Sequence, residues 1–392
     1  MQQLDFNGAA PLSAGAPSVL DQFKLKVDQW LSHPALYKFA ISNPLTRWFA
    51  QRRTQQVFDV MAGFVHSQVL LSCTRLRIFE ILREQTLTMA ELSERVHIEP
   101  AALQRLIYAA VSIKLLEFRH HDKLGLGALG VPIAAHEGIR AMIEHNHLLY
   151  RDLTDPVAFL NHAWAGSMAE YWPYAHEAGQ DVTRKAADDK VTRYSALMAA
   201  SQNFVIQEIL SSYNFGEHQQ ILDVGTGLGR FISELAKQET HLQLHLFDLP
   251  PVLNLAQETL RDKQLLSRAQ LHPGSFIDDA LPSVADLITL VRVAHDHPDA
   301  VVRQLLQKAY AALPAGGVLL IAEPMASEAD EPPLGDAYFH YYLLAMGAGR
   351  LRKPSELGAM LAQAGFSHIE LVPNAMPIHA RLLIGRKTKC LP

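Results

Sequence analysis

Residues 221–230 read ILDVGTGLGR, an apolar run that ends in glycines at 225, 227 and 229. The run predicts a buried strand, the glycines a tight loop, and Phe231 to Lys237 the helix that follows. Glycines at such a loop let backbone amides approach a ligand closely, beside a helix N-terminus at the carboxyl edge of a sheet. Twenty residues on, HLQLHLFDLP (241–250) predicts a second strand that ends in Asp248. A carboxylate there can accept both hydroxyls of a ribose. Further apolar or β-branched runs at Ala269 to His272, Ala285 to Val291 and Val318 to Glu323 alternate with helical patterns. The C-terminal half is therefore α/β, a parallel sheet flanked by helices.

A dinucleotide fold also pairs a glycine loop with an acid about 20 residues later, so the spacing must separate the cofactors. The dinucleotide fingerprint is GxGxxG, whereas this loop reads GxGxG and follows Asp223. S-adenosylmethionine (SAM) carries a sulfonium and an ammonium and no pyrophosphate, so a nearby carboxylate favours it where it would repel a diphosphate. The loop is read as a SAM site, with Asp223, Gly225, Gly227, Gly229 and Asp248 as cofactor-binding residues.

At 392 residues the chain exceeds what one core usually organises, and two domains are expected. Hydrophobic residues at 49% against 19% charged argue for packed cores over long disorder. A net charge of −5 offers polyanions no overall attraction, so nucleic acid is not an expected partner. Two cysteines, Cys73 and Cys390, give neither a disulfide framework nor a CxxC metal site, which fits a reducing compartment. No signal-peptide pattern is evident and no stretch is read as reaching bilayer-spanning length. The expected location is cytoplasmic, peripheral to the inner membrane at most.

The residues through Pro17 read as a tail. Helical spacing follows from Val19 to Ala50, broken into short pieces by Pro34 and Pro44, and again from Val57 to Leu82, where the apolar excess predicts a dimerising helix. Helices at Thr88 to Val96 and Glu99 to Ile113, then a hairpin around Arg119 to Lys123, have the order of a winged helix-turn-helix. Helical patterning resumes from Glu137 to Trp164, and the polar stretch 179–190 marks a boundary. The expected division is 1–55 tail and helices, 56–180 winged-helix dimerisation and pocket domain, and 181–392 cofactor domain.

Together DVGTGLGR, FDLPPV, RVAHDH, LPAGGVLLIAEP and the terminal AQAGF resemble the plant-type small-molecule O-methyltransferases, from about Val57 to Ile384. The stretches LTRWFAQRRTQQVFDVMAGFVHSQVLLSC, RYSALMAASQ, LVRVAHDH and GDAYFHYYLLAMGAGR are similar to the carotenoid O-methyltransferases of purple photosynthetic bacteria. The resemblance implies a Rossmann-like SAM-binding domain behind a winged-helix dimerisation domain. It also implies a homodimer and methylation of the tertiary hydroxyl of an acyclic hydroxycarotenoid, of hydroxyneurosporene or demethylspheroidene type.

Methyl transfer to an alcohol needs a proton acceptor. His295 follows the strand ending near Val293 on the cofactor side, where a neutral imidazole can serve, and the resemblance places a catalytic histidine here. Glu323 ends the next strand and is expected to orient that imidazole as a hydrogen-bond acceptor. A second acid of the plant relatives aligns with Leu351, His297 stands where relatives carry Trp, and Ser275 of GSF where they carry an acid near the adenine. Leu249, Phe276, Arg292 and Met198 complete the cofactor set. The substrate pocket is assigned to Trp164, Trp172, Tyr338, Phe339, Tyr342 and Met346, with Met142 nearby; the same residues also read as interdomain core. His295, Asp296 and His297 lack a third ligand at a familiar spacing, and no metal is assigned.

Two other readings stay open at this stage. A winged-helix DNA-binding regulator is disfavoured because EPAALQRLIYAAVSIKLL carries only Arg105 and Lys114 as cations. C-methylation of a bacteriochlorophyll precursor, or O-methylation of a phenolic metabolite, would use the same architecture.

Overall fold

The computed structural model describes residues 18–162, 166–171, 202–347 and 349–388. Trp164, Trp172, Met198, the tail through Pro17 and the boundary at 180 lie outside the described residues.

Among the described residues seven strands form the central sheet: β3 (Gln220–Val224), β4 (Gln243–Asp248), β5 (Ala269–Pro273), β6 (Leu287–Val291), β7 (Val318–Glu323), β8 (Ser367–Val372) and β9 (Arg381–Arg386). Their order is β5-β4-β3-β6-β7-β9-β8. The first five are parallel, and β9 enters antiparallel between β7 and β8. β6 and β7 are buried along their whole length, Thr289 and Glu323 included, and their other residues are apolar, as suits strands covered on both faces. One face packs Ile221, Leu244 and Leu246 against Ile206, Ile232 and Leu253, carried by α11 (202–212), α12 (Arg230–Gln238) and α13 (Pro250–Asp262). The other packs Leu222, Ile288 and Leu319 against Leu305 and Leu361, carried by α14 (Asp299–Ala312) and α16 (Pro354–Ala364). Alternate side chains of each strand thus feed two separate cores, the period-two logic of a covered sheet.

The strand order reverses between β3 and β6. Crevices at such a reversal, outside the carboxyl ends of the strands, are where open α/β sheets bind ligands.

In front of the sheet, α1 (Val19–Leu31), α2 (Pro34–Ser42) and α3 (Pro44–Arg75) open the described chain. Each starts on a built cap: Ser18 with Asp21 in a capping box, His33 before Pro34, and Asn43 before Pro44. Two expectations change here. α3 is no short piece, since its 32 residues run through Val57 to Arg75 without interruption. The break comes at Arg77, whose φ of 55° ends the helix and starts α4 (Ile78–Glu84), so Phe79 belongs to the next element. α3 is also long and apolar enough, by length and composition alone, to cross a bilayer, against the expectation that no stretch reaches that length.

α5 (Met89–Val96), α6 (Pro100–Ser112) and the antiparallel hairpin β1 (Leu116–Phe118) and β2 (Leu124–Leu126) follow in the order read from the sequence. They enclose a core of Ile78, Phe79, Leu92, Leu103, Ile107 and Leu124. Beyond α7 (Gly130–Ala135), α8 (Glu137–Asp152) reaches the cofactor half. α9 (Pro156–His162) and α10 (Ser167–Tyr171) come next, where one helical run to Trp164 was expected; Asp155 caps α9 through the amides of Val157 and Ala158.

Leu149 of α8, with Phe159 and Met168, packs on Tyr342, Leu343 and Met346 of α15 (Asp336–Met346). The Tyr338 hydroxyl donates to Asn146 Oδ1 at 2.8 Å, and the Tyr342 hydroxyl lies 3.2 Å from His145 Nε2. Two hydrogen-bonded aromatic residues therefore fasten the helical half to the sheet half at the carboxyl side.

Candidate active site

The glycine loop leaves β3 at the reversal point. Gly225, Gly227 and Gly229 all have positive φ, between 55° and 71°, which only glycine adopts without strain. At Gly225 a Cβ would strike the Val293 side chain, so this glycine lets the loops after β3 and β6 touch. At Gly227 a Cβ would meet nothing within 4 Å among the described residues. Asp248, at the end of β4, braces the loop: Oδ2 accepts from the Gly227 amide at 2.9 Å and Oδ1 from the Leu249 amide at 2.8 Å.

Asp223 is enclosed beneath the loop, where its Oδ1 accepts from the Thr289 hydroxyl at 2.6 Å. Burial pushes its carboxyl up to about 7, against the hydrogen bond from Thr289. A cation nearby would favour the ionised form. The residues present suit SAM: a glycine loop at the carboxyl edge of the sheet, a carboxylate at the end of β4 that braces it, and a second acid beneath that ionises more readily beside positive charge.

Ser275 and Phe276 follow β5, the neighbour of β4. The Ser275 hydroxyl accepts from the Ile277 amide at 3.2 Å, and the Phe276 ring sits edge-on to His297 with centroids 5.1 Å apart. Arg292, at φ 57°, turns the chain out of β6, and its amide donates to Ala322 O at 2.9 Å. These groups thus share the carboxyl edge of adjacent strands with the glycine loop.

His295 lies in the turn after β6 and is almost fully buried. Its Nε2 is 3.2 Å from Asp296 Oδ1 and its Nδ1 is 3.4 Å from Glu323 Oε2. The Glu323 contact differs in kind from the one expected. Its Oε2 accepts from the backbone amide of His295 at 3.0 Å, while the ring Nδ1 has no aligned hydrogen-bond partner among the described residues. Glu323 therefore holds the main chain of the turn and acts on the ring through charge. Burial opposes a charged imidazole here, yet the Asp296 and Glu323 carboxylates outweigh it and push His295 up to about 9.

Three supports of this turn went unassigned from sequence. Asp296 supplies the carboxylate against Nε2. Arg352, 1% exposed, donates to Ala294 O at 2.8 Å, to His297 O at 2.7 Å and to Asp299 Oδ1 at 2.8 Å, clamping the turn from behind. Gly349 leaves no room for a Cβ, which would collide with the His295 carbonyl oxygen. The HDH spacing could have drawn attention to Asp296; nothing local to Arg352 or Gly349 separates them from surface residues.

The pocket residues divide. Tyr342 and Met346 are buried in the interface cluster, and Leu351, at the position of the relatives' second acid, lies in the same apolar cluster. Tyr338 and Phe339 are half-buried at its margin. A separate cleft of about 570 Å³ lies between the halves, lined by His136, Asn203, Phe204, Gln207 and Arg230, the residue after Gly229. Among the described residues no group of three or more His, Cys, Asp or Glu side chains could hold a metal ion.

Comparison with known proteins agrees with this geometry. An O-methyltransferase domain model matches residues 150–367, and an O-methyltransferase dimerisation domain model matches 58–127. The demethylspheroidene O-methyltransferase of Cereibacter sphaeroides is 38% identical over 85% of this chain and 87% of its own. That of Rhodobacter capsulatus is 39% identical over 92% of this chain and 88% of its own. Among solved structures, human N-acetylserotonin methyltransferase in complex with SAM shares the fold at a TM-score of 0.68 and 20% identity, covering 86% of this chain and 98% of that one. The chain belongs to the O-methyltransferase family and is a SAM-dependent O-methyltransferase.

Proposed function

We propose that this enzyme methylates the hydroxyl of an acyclic hydroxycarotenoid of demethylspheroidene type, with His295 as general base. The observation that carries the substrate is the 38% and 39% identity, over most of each chain, to two demethylspheroidene O-methyltransferases. The apolar cluster of Tyr338, Phe339, Tyr342 and Met346 beside the His295 turn supports it, because a polyene needs an apolar lining.

SAM supplies the electrophilic methyl group. Asp248 would hold its ribose, the amides around Gly227 its approach, and Asp223 the charge balance beneath, with Leu249, Ser275, Phe276 and Arg292 completing the wall. His295 would take the proton that the alcohol loses as the oxygen–methyl bond forms and the methyl–sulfur bond breaks, its electron pair staying on the sulfur of the departing thioether. An aliphatic tertiary alcohol is a very weak acid, so prior ionisation contributes little and a held, dry imidazole contributes most. Asp296 and Glu323 then stabilise the imidazolium that results. Met198, Trp164 and Trp172 are proposed to line the same space.

The working unit is proposed to be a homodimer with its halves divided near residue 180. Exposed Phe58, Met61, Phe64 and Val65 on α3 fall within the matched dimerisation stretch and offer the face to be covered. The location proposed is cytoplasmic and peripheral to the inner membrane, which gives access to an acceptor dissolved in lipid.

The test is transfer of label from methyl-labelled SAM to detergent-dispersed demethylspheroidene, beside His295→Ala and a control without acceptor. Label on the carotenoid oxygen, reduced about 10²–10⁴-fold in the variant with SAM binding retained, is expected. Binding of SAM without transfer to the carotenoid would refute the substrate and direct the search to phenols and tetrapyrroles.

A further inference from the structure

We propose that the segment 18–56, chiefly α1 with the start of α3, docks the enzyme on an anionic lipid surface. The proposal rests on the carotenoid reading for its purpose, since that reading places the acceptor in a bilayer, and on the following observations for its content.

α1 and α2 bury none of their residues. Phe23 and Trp30 of α1 are each 63% exposed and Trp48 of α3 is 65% exposed, with Leu20, Tyr37, Phe39 and Phe49 also open to solvent. At 100° per residue, Val19, Leu20, Phe23, Val27, Trp30 and Leu31 fall within an arc of about 120° on α1. Lys24 and Lys26 lie about 20° beyond its two borders, Asp21 and Asp28 lie on the far side, and Leu25 is the one apolar residue of the helix on that far face. An apolar stripe edged by lysines is the layout of a helix lying in a membrane interface, where the stems cover hydrocarbon and the ammonium groups reach the headgroups.

The charge is segregated in the same direction. Residues 18–56 hold Lys24, Lys26, Lys38, Arg47, Arg52 and Arg53 against Asp21 and Asp28, a net of +4 in a chain whose total is −5. Arg52 and Arg53 lie over the rings of Trp48 and Phe49, at 5.7 Å and 5.4 Å from the ring centroids. Aromatic rings capped by guanidinium groups suit the boundary between acyl chains and phosphates. A second copy of this chain is the poorer occupant, because a two-fold contact sets like patch on like and would bring +4 against +4. The segment also precedes the stretch 58–127 matched as a dimerisation domain.

The test is co-sedimentation of the full chain with phosphatidylcholine vesicles, with and without phosphatidylglycerol, and no carotenoid present. Wild type is expected to bind the anionic vesicles more tightly, and less so at high salt. Lys24→Glu with Lys26→Glu should weaken that binding at least about tenfold, and Phe23→Glu with Trp30→Glu should abolish it. Both variants should keep wild-type SAM binding and wild-type activity on detergent-dispersed acceptor. No sedimentation of the wild type, or equal sedimentation of all three proteins, overturns the proposal. So does loss of dimer mass in light scattering of the variants, which would give this face to a second copy. Vesicle binding that follows the expected pattern while the detergent assay shows no carotenoid methylation would leave docking supported and remove the substrate reading.

Discussion

Replacing Asp296 by asparagine should move the pH dependence of catalysis. In the free protein His295 is pushed up to about 9 from an ordinary histidine value of 6.5. That difference corresponds to roughly 3 kcal/mol favouring the imidazolium. Burial works against it, and Asp296, 3.2 Å from Nε2, is the foremost of the two carboxylates that overcome burial. With a neutral carboxamide in its place, Glu323 alone opposes desolvation, with Arg292 and His297 nearby, and the histidine should fall by at least about one unit. The base must be neutral, so kcat/KM falls as pH drops below the pKa. The assay is kcat/KM for SAM against pH, which reports ionisations of the free enzyme. The acid limb is expected near 9 in wild type and at about 8 or lower in the variant. A limb that Asp296→Asn leaves in place, or a wild-type limb already at the ordinary histidine value, would refute the reasoning.

Stability should carry the same signature. Because the folded pKa of His295 is raised, its contribution is complete below about 6.5 and is lost as pH rises through about 9. Asp223, raised to about 7, loses its own contribution earlier, so the Tm decline above about pH 8 should shrink in His295→Ala when followed by calorimetry. Arg352→Met strips the clamp from the buried carbonyls of Ala294 and His297, and should cost about 3–5 kcal/mol in urea unfolding. Gly349→Ala forces a Cβ onto the His295 carbonyl and should lower kcat, with a stability loss of about 1–3 kcal/mol. Titration calorimetry of that variant should return an unchanged Kd for SAM, and an unchanged kcat would show that the turn tolerates displacement.

The parallel strands were legible because burial on both faces leaves a mainly apolar run, interrupted only by Thr289 in Leu287–Val291 and ended by Glu323 in Val318–Glu323. The glycine loop was legible because its positive φ values admit few other residues. β8 and β9 were not read. SHIELV mixes Ser367, His368 and Glu370 into an edge strand, and RLLIGR carries charge at both ends, so neither shows a covered-strand pattern. Glu323 was placed beside His295 by strand topology, but which atom it would bond depended on the turn geometry. Arg352 was missed because a buried arginine is paired only through tertiary structure, here with the main chain of a turn more than 50 residues earlier. α3 was divided because apolar residues on its exposed face obscure one continuous helix.

The place of β9 has a consequence for how the protein is made. It is the last of the described strands in chain order, yet it lies inside the sheet, pairing with β7 on one side and β8 on the other. During synthesis β7, bearing Glu323, emerges with an open edge and keeps it until residues 381–386 leave the ribosome. Until then β8 has no strand to join. The catalytic half therefore passes through a stage in which an apolar, unpaired strand is exposed to other nascent chains, a known route to aggregation. Chains truncated before Arg381 should be held by chaperones longer than chains that carry residues 381–386 outside the ribosome.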